Sequence, residues 1–411
     1  MDRVILHSDC NNFFASVECL LHPELREKCV AVGGSEEARH GIILAKNEAA
    51  KKFGVKTAEP LWQARNKCPD LVIVPPHFSD YVRFSKATRE IYCDFTDRVE
   101  PFGMDEAWLD VTGDDGMETA EKISNRIKSE LGITVSIGVS FNKAFAKLGS
   151  DYKKPDAITH ISRENYRDIV WKLPVEDLLF VGRATAEKLH KMGVRTIGEL
   201  AEMPLKILQN HFGKNAYILH SYAAGEDTSR VARFGEVPAV KSISNSTTPP
   251  RDIVCRDDAM MVLHVLCESV GRRMREQGLK CKRVGVYMRT NELVSCMRQA
   301  SLREYTDQTA DVLDAAMDII DSNHDWRMPL RSIGVNVTSF STGETAEQVS
   351  FFSDIRDRIK QERLTAATDK LKDRYGVNCI VPATVLADPA LNGFVAAPKY
   401  NPFGICSGEE I

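Results

Sequence analysis

The chain's 411 residues, 43% apolar and 27% charged, suffice for two to four domains with real cores, which excludes disorder as the default. The formal net charge of −4 means that any affinity for nucleic acid must come from a local basic patch. Eleven cysteines without a Cys-x-x-Cys or Cys-His cluster argue against zinc and for a reducing compartment, and no apolar run approaches the roughly eighteen residues that span a bilayer.

The chain opens on a strand, Val4-Ile-Leu-His-Ser-Asp, instead of a charged-then-apolar leader, so a cytoplasmic protein with no membrane partner is expected. Apolar residues at helical spacing follow from Asn12-Phe13-Phe14, with Asn11 or Asn12 placed to cap the start. A small strand-and-helix insert then runs through Val30-Ala-Val-Gly-Gly, Gly41-Ile-Ile-Leu-Ala and Asn47 to Phe53, and ends near Val72-Ile-Val. An amphipathic helix over 80–95 leads to a hairpin formed by 99–104 and 107–111. A helix over 119–131 and a strand over 134–139 complete an α+β sheet of discontinuous origin.

Residues 178–203 read as two short helices joined by a glycine turn, with Gly182 and Gly193 at its bends, an arrangement similar to a helix-hairpin-helix. Such a hairpin offers backbone N–H groups to a phosphate oxygen and grips a nucleic-acid backbone without reading bases. After a linker at 233–240 the pattern reads strand, helix, strand, strand, helix, strand between 241 and 341, a βαββαβ domain. Its middle is basic, since from Gly271 to Arg303 nine Lys and Arg residues face only Glu276 and Glu292. Alternation along the two central strands is expected to place Arg289 and Arg298 on one open face, and Arg283 and Arg331 are further candidate DNA contacts. A charged helix over 353–375 precedes an irregular tail without readable chemistry, and there are no internal repeats.

Chemistry concentrates on three acids. Asp9 ends the first strand, and Asp105 and Glu106 stand at the tip of the hairpin. Hard divalent cations prefer carboxylate oxygens, and two neighbouring ions need acids from more than one segment, so these three could build a two-metal phosphoryl-transfer site. A strand end and a polar hairpin tip would carry the same residues. Neighbours on a regular strand point to opposite faces, so Asp105 and Glu106 can converge only where the backbone leaves ideal pleating.

Five stretches in one order resemble the Y-family DNA polymerases, the bacterial polymerase IV class above all. They are Asp9-Cys-Asn-Asn-Phe13-Phe14-Ala-Ser-Val-Glu18, Asn47 with Lys51-Lys-Phe-Gly-Val, Met104-Asp-Glu-Ala-Trp-Leu-Asp110, Ser136-Ile-Gly-Val-Ser through Lys147 and Ser150 to Lys154-Pro155, and the helical hairpin. The resemblance covers about residues 1 to 340 and implies a multidomain α+β right hand. In that hand a ferredoxin-like palm takes 1–25 and 75–165, small fingers 26–74, a helix-hairpin-helix thumb 166–232, and a βαββαβ little finger 241–341, followed by a clamp-binding peptide, a helix and a tail over 342–411.

Carried over by position, Asp9 and Asp105 resemble the ligands of two Mg²⁺ ions, Glu106 the third acid, and the Cys10 carbonyl a further ligand. Phe14 resembles the aromatic steric gate whose ring excludes a ribose 2′-hydroxyl. Phe13, Asn12, Lys51 and Lys154 resemble nucleotide-binding residues. Gln348-Val349-Ser350-Phe351-Phe352 resembles the peptide that docks bacterial polymerases on the sliding clamp. The implied activity is template-directed, low-fidelity DNA synthesis from dNTPs on primer-template DNA past damaged bases, by a monomer. One departure concerns the fingers, where Ala45, Glu48 and Lys51 stand in place of a Thr, Tyr and Arg common in relatives, so that Glu48 must point away from a triphosphate or be neutralised. Two other readings of the same residues are a palm-type nucleotidyl cyclase or nuclease and a DNA-binding accessory protein without catalysis.

Overall fold

The computed structural model describes residues 2–37, 39, 41–236, 238–341, 355–377, 379–386, 388 and 391. The expected clamp peptide, Gln348 to Phe352, therefore lies outside the described residues. The chain divides into two compact units, one built on Met1–Gly34 and Ile42–Val237, the other on Ser35–Gly41 and Pro238–Lys399.

The first unit is organised around β1 (Ile5–Cys10), every residue of which is buried. After it come α1 (Phe13–Leu21), β2 (Val30–Gly33), β3 (Ile43–Lys46), α2 (Glu48–Lys52), α3 (Leu61–Lys67), β4 (Val72–Val74) and α4 (Phe78–Cys93). The chain continues through β5 (Val99–Pro101), β6 (Glu106–Asp110), α5 (Gly116–Arg126), β7 (Val135–Ser140), α6 (Lys143–Tyr152) and β8 (Ile158–Ile161). The main sheet has the order β5-β6-β1-β7-β8, and β3-β2-β4 form a separate small sheet. The expected helix over 119–131 is α5 followed by a wider π turn over Ile127–Leu131.

Packing of α6 on β7 positions much of the site. A Cβ added at Gly138 in β7 would stand 1.9 Å from the Ala146 carbonyl oxygen and 2.5 Å from the Ser150 nitrogen, so the helix lies on the strand at backbone contact. Asn142 caps this helix by accepting from the Phe145 N–H at 2.8 Å. The tip of the β5-β6 hairpin is clamped by α4, where the Ser85 hydroxyl donates to the Met104 carbonyl and Arg89 Nη2 to the Gly103 carbonyl at 2.8 Å.

A helical group completes the unit: α7 (Tyr166–Ile169), α8 (Arg183–Lys191), α9 (Ile197–Glu202), α10 (Leu205–Phe212) and α11 (Asn215–Ala224). Its core gathers Leu178, Leu189, Ile197, Leu200, Leu208 and Leu219. The hairpin expected between 178 and 203 is α8 and α9. Gly193, at φ +84°, makes the turn with its N–H on the His190 carbonyl, and Thr196 and Glu199 close a capping box on α9.

The second unit holds β9 (Ser242–Thr247), α12 (Arg256–Glu276), β10 (Lys280–Thr290), β11 (Ser295–Thr306), α13 (Thr309–Asn323), β12 (Leu330–Ser341) and α14 (Ile355–Tyr375). This is the βαββαβ pattern, folded as a four-stranded sheet of order β11-β10-β12-β9. Val284, Val286 and Met288 point from β10 into a core with Leu263, Leu266 and Ile320 of the helices. Register corrects one expectation. Arg283 and Arg289 sit opposite Ser301 and Ser295, whereas Arg298 sits opposite the core residue Val286 and hence on the other face. Arg331, half-buried, falls where β10 and β12 slip register between Arg289 and Thr290.

Candidate active site

Strand pairing brings the acids together. β1 runs antiparallel to β6 with Asp9 directly opposite Glu106, so the two carboxylates leave the sheet on one face. Asp105 lies just before β6 begins, in the irregular turn, and its carbonyl accepts from the Cys10 N–H at 2.9 Å. The departure from pleating that convergence demands is therefore present, since the Phe102 and Gly103 N–H groups both fold back on the Glu106 carbonyl.

The three acids line a cleft of about 360 Å³ together with Cys10, Asn12, Phe13, Phe14, Leu44, Ala45, Lys46, Thr57, Lys147, Asp151 and Lys154. The cations touching the acids are ammonium groups. Lys147 Nζ is 2.5 Å from Glu106 Oε2 and 3.2 Å from Asp9 Oδ2, and Lys154 Nζ is 2.7 Å from Asp9 Oδ2 and 2.8 Å from Asp151 Oδ1. Burial, then the charges of Asp9 and Glu106, push the Asp105 carboxyl up to about 6. Burial also works against ionised Glu106, but His7 and Lys147 outweigh it and hold that carboxyl well below its ordinary range. Beneath Glu106, His7 is fully buried, with Nε2 3.4 Å from Glu106 Oε2 and Nδ1 2.8 Å from the Ser150 hydroxyl.

Three hard-oxygen side chains from two segments, crowded enough to raise one carboxyl, are a donor set that suits a hard divalent cation. Among the described residues no three His, Cys, Asp or Glu side chains close on a single point. Lys147 stands against both Asp9 and Glu106, and Lys154 against Asp9.

Phe14 is held firmly. Its ring stacks on Tyr81 at 4.2 Å and 12°, and Tyr81 is pinned by its hydroxyl donating to buried Glu18 at 2.5 Å. Phe13 is 3% exposed and packs in the core while edging the cleft. Asn12 is not the side-chain cap expected of it. It adopts a left-handed backbone, φ +50° and ψ +37°, and donates from Nδ2 to Glu48 Oε1 at 3.0 Å. Lys51 is not among the lining residues, and its ammonium lies 3.4 Å from the same Glu48 oxygen. Gly182 precedes α8 and Gly193 follows it, on the hairpin and apart from the cleft.

Residues that local pattern left without a role are Lys147, Asp151, Lys46, Thr57, Tyr81 and His7. Lys147 and Asp151 stand at i and i+4 of α6 behind its capping Asn142, and Lys154 follows just past the helix end, a spacing present in the sequence. Nothing local marks Tyr81, whose part depends on how α4 crosses α1.

Comparison with known proteins follows the same division. Residues 8–151 match the model of the impB/mucB/samB family, residues 240–351 that of the family's C-terminal domain, and residues 176–227 that of a DNA polymerase-iota thumb domain. DNA polymerase IV of Acetivibrio thermocellus is 49% identical over 398 residues, 95% of this chain and 100% of the relative. DNA polymerase IV of Clostridium acetobutylicum is 35% identical, over 94% of this chain and 99% of its own. Among solved structures, a Y-family DNA polymerase chimera of Dbh and Dpo4 shares the fold at a TM-score of 0.72 and 24% identity, covering 82% of this chain and 98% of that one.

Proposed function

We propose, from the premise that this chain belongs to the Y-family DNA polymerases, that its cleft joins dNTPs to a primer with Asp9, Asp105 and Glu106 as the ligands of two Mg²⁺ ions. The chain is a DNA-directed DNA polymerase whose role is translesion synthesis. That membership sets aside the cyclase, nuclease and non-catalytic readings. The observation that carries the site assignment is the pairing of Asp9 with Glu106 across β1 and β6, beside a non-pleated Asp105.

When bound, the ions make the primer 3′-hydroxyl more acidic and offset charge on the triphosphate. The chain's own groups do the rest. Asp9, Asp105 and Glu106, with the Cys10 carbonyl, supply oxygen ligands from two adjoining strands. Lys154 meets the polyanion with a point charge, and Lys147 balances Asp9 and Glu106. Phe14, locked against Tyr81, fills the space of a ribose 2′-hydroxyl and selects deoxynucleotides by clash. The α8-α9 hairpin and the Arg283 and Arg289 face of the βαββαβ sheet hold primer-template phosphates. We assign residues 1–25 and 75–165 to the palm, 26–74 to the fingers, 166–232 to the thumb and 241–341 to the little finger, acting as a monomer that Gln348 to Phe352 recruit to a sliding clamp.

Primer extension with Mg²⁺ and dNTPs tests this. Wild-type protein extends the primer distributively, while Asp105→Ala and Glu106→Ala lose extension and still bind DNA. Full extension by Asp105→Ala overturns the ligand assignment.

A further inference from the structure

We infer that Lys46, and not Lys51, is the residue of the small β3-β2-β4 subdomain that binds the phosphates of the incoming nucleotide, with Glu48 holding Lys51 out of that role. The inference rests on the polymerase reading and deepens it at one wall of the cleft.

Three lysines line the cleft: Lys46, Lys147 and Lys154. Two of them are engaged by acids, Lys147 by Asp9, Glu106 and Asp151, and Lys154 by Asp9 and Asp151. Lys46 differs. Among the described residues, no Asp or Glu forms an ion pair with it, and its ammonium donates to the Thr57 hydroxyl at 2.9 Å. That one bond holds the group on the cleft wall and leaves two N–H donors for a ligand. Beside it, Leu44 and Ala45 present apolar surface better suited to a base or sugar than to phosphate oxygens.

Glu48 explains why Lys51 is elsewhere. Its Oε1 accepts from Asn12 Nδ2 and lies 3.4 Å from Lys51 Nζ, so a lysine that would otherwise be free neutralises the acid. A bare carboxylate at that place would repel a triphosphate; one shared between an amide and an ammonium does not. Burial and the neighbouring Lys51 charge hold the Lys46 ammonium below its ordinary pKa, and the Glu48 and Glu59 charges only partly offset them.

The test is single-nucleotide insertion by the full chain with Mg²⁺ and primed template, with each of the four dNTPs in turn. For Lys46→Ala, KM should rise about tenfold by the same factor for all four bases, with kcat nearly unchanged. Lys46→Arg should recover most of the loss, the paired substitution Glu48→Gln with Lys51→Ala, which removes the ammonium together with the charge it neutralises, should change KM less than about twofold, and the melting temperature of Lys46→Ala should match wild type. Unchanged KM in Lys46→Ala, a larger effect in the Glu48→Gln and Lys51→Ala pair, or a factor that depends on the base would overturn the inference. Failure of wild-type protein to extend at all would instead remove the polymerase reading, and this inference with it.

Discussion

Burial and charge crowding at Asp105 have a measurable cost. Its carboxyl stands at about 6 against an ordinary 3.8, a displacement of about two pH units. At 1.36 kcal/mol per unit this is at most about 3 kcal/mol, and about 1–3 kcal/mol after allowance for solvent screening. The sign follows from which form the fold disfavours. An acid whose folded pKa is raised is penalised when ionised, so the penalty is complete above pH 6, shrinks as pH falls, and is gone below about pH 4. Asp105→Asn keeps the shape and removes the charge. In EDTA at pH 7.5 it should therefore be more stable than wild type by about 1–3 kcal/mol, a rise in Tm of roughly 2–4 °C per kcal/mol for a unit of this size. The gap should close by about pH 4, and Mg²⁺ should raise the wild-type Tm more than the variant's. Melts followed by circular dichroism across pH, with EDTA or Mg²⁺, make the comparison. A variant less stable than wild type in EDTA at pH 7.5, or a gap that widens as pH falls, would refute the reasoning.

Phe14→Ala should admit ribonucleotides at little expense to dNTP use, and unchanged sugar selectivity in insertion assays would count against the gate. Gly138→Ala should destabilise the first unit by more than about 3 kcal/mol in urea titrations, because its Cβ meets backbone that cannot move aside; a loss under 1 kcal/mol would contradict the α6-β7 contact. Deleting Gln348 to Phe352 should abolish stimulation by a sliding clamp while leaving clamp-free extension intact, and equal stimulation would make the segment a plain linker.

Much of the architecture is legible in one dimension, for identifiable reasons. β1 and the β5-β6 hairpin announce themselves by short apolar runs that end in acids, and the second unit by long alternating strands between amphipathic helices. Short elements escape, such as β8 with four residues and the pair α10 and α11, whose apolar residues serve a shared core more than a simple stripe. Arg298 shows how a face is lost. Its parity along β11 says nothing about which face of β10 it joins until the turn sets the register. Asn12 shows the same limit at a helix start, since its left-handed backbone and the reach of its Nδ2 to Glu48, 36 residues away, leave no side-chain cap on the local N–H groups. Position in a motif points to Lys51, whereas nothing in the pattern marks Lys46 as a cleft-lining residue, because a lysine on an isolated short strand carries no pattern of its own.

The central claim is that Asp9, Asp105 and Glu106 share metal ions. Diffraction from the chain bound to primed DNA and a non-reacting dNTP analogue, with Mn²⁺ in place of Mg²⁺, should give two anomalous peaks at about 2.1 Å from oxygens of these carboxylates, with Lys147 displaced from Glu106. Peaks held by other residues, or none in a complex whose primer and nucleotide are well ordered, would contradict it.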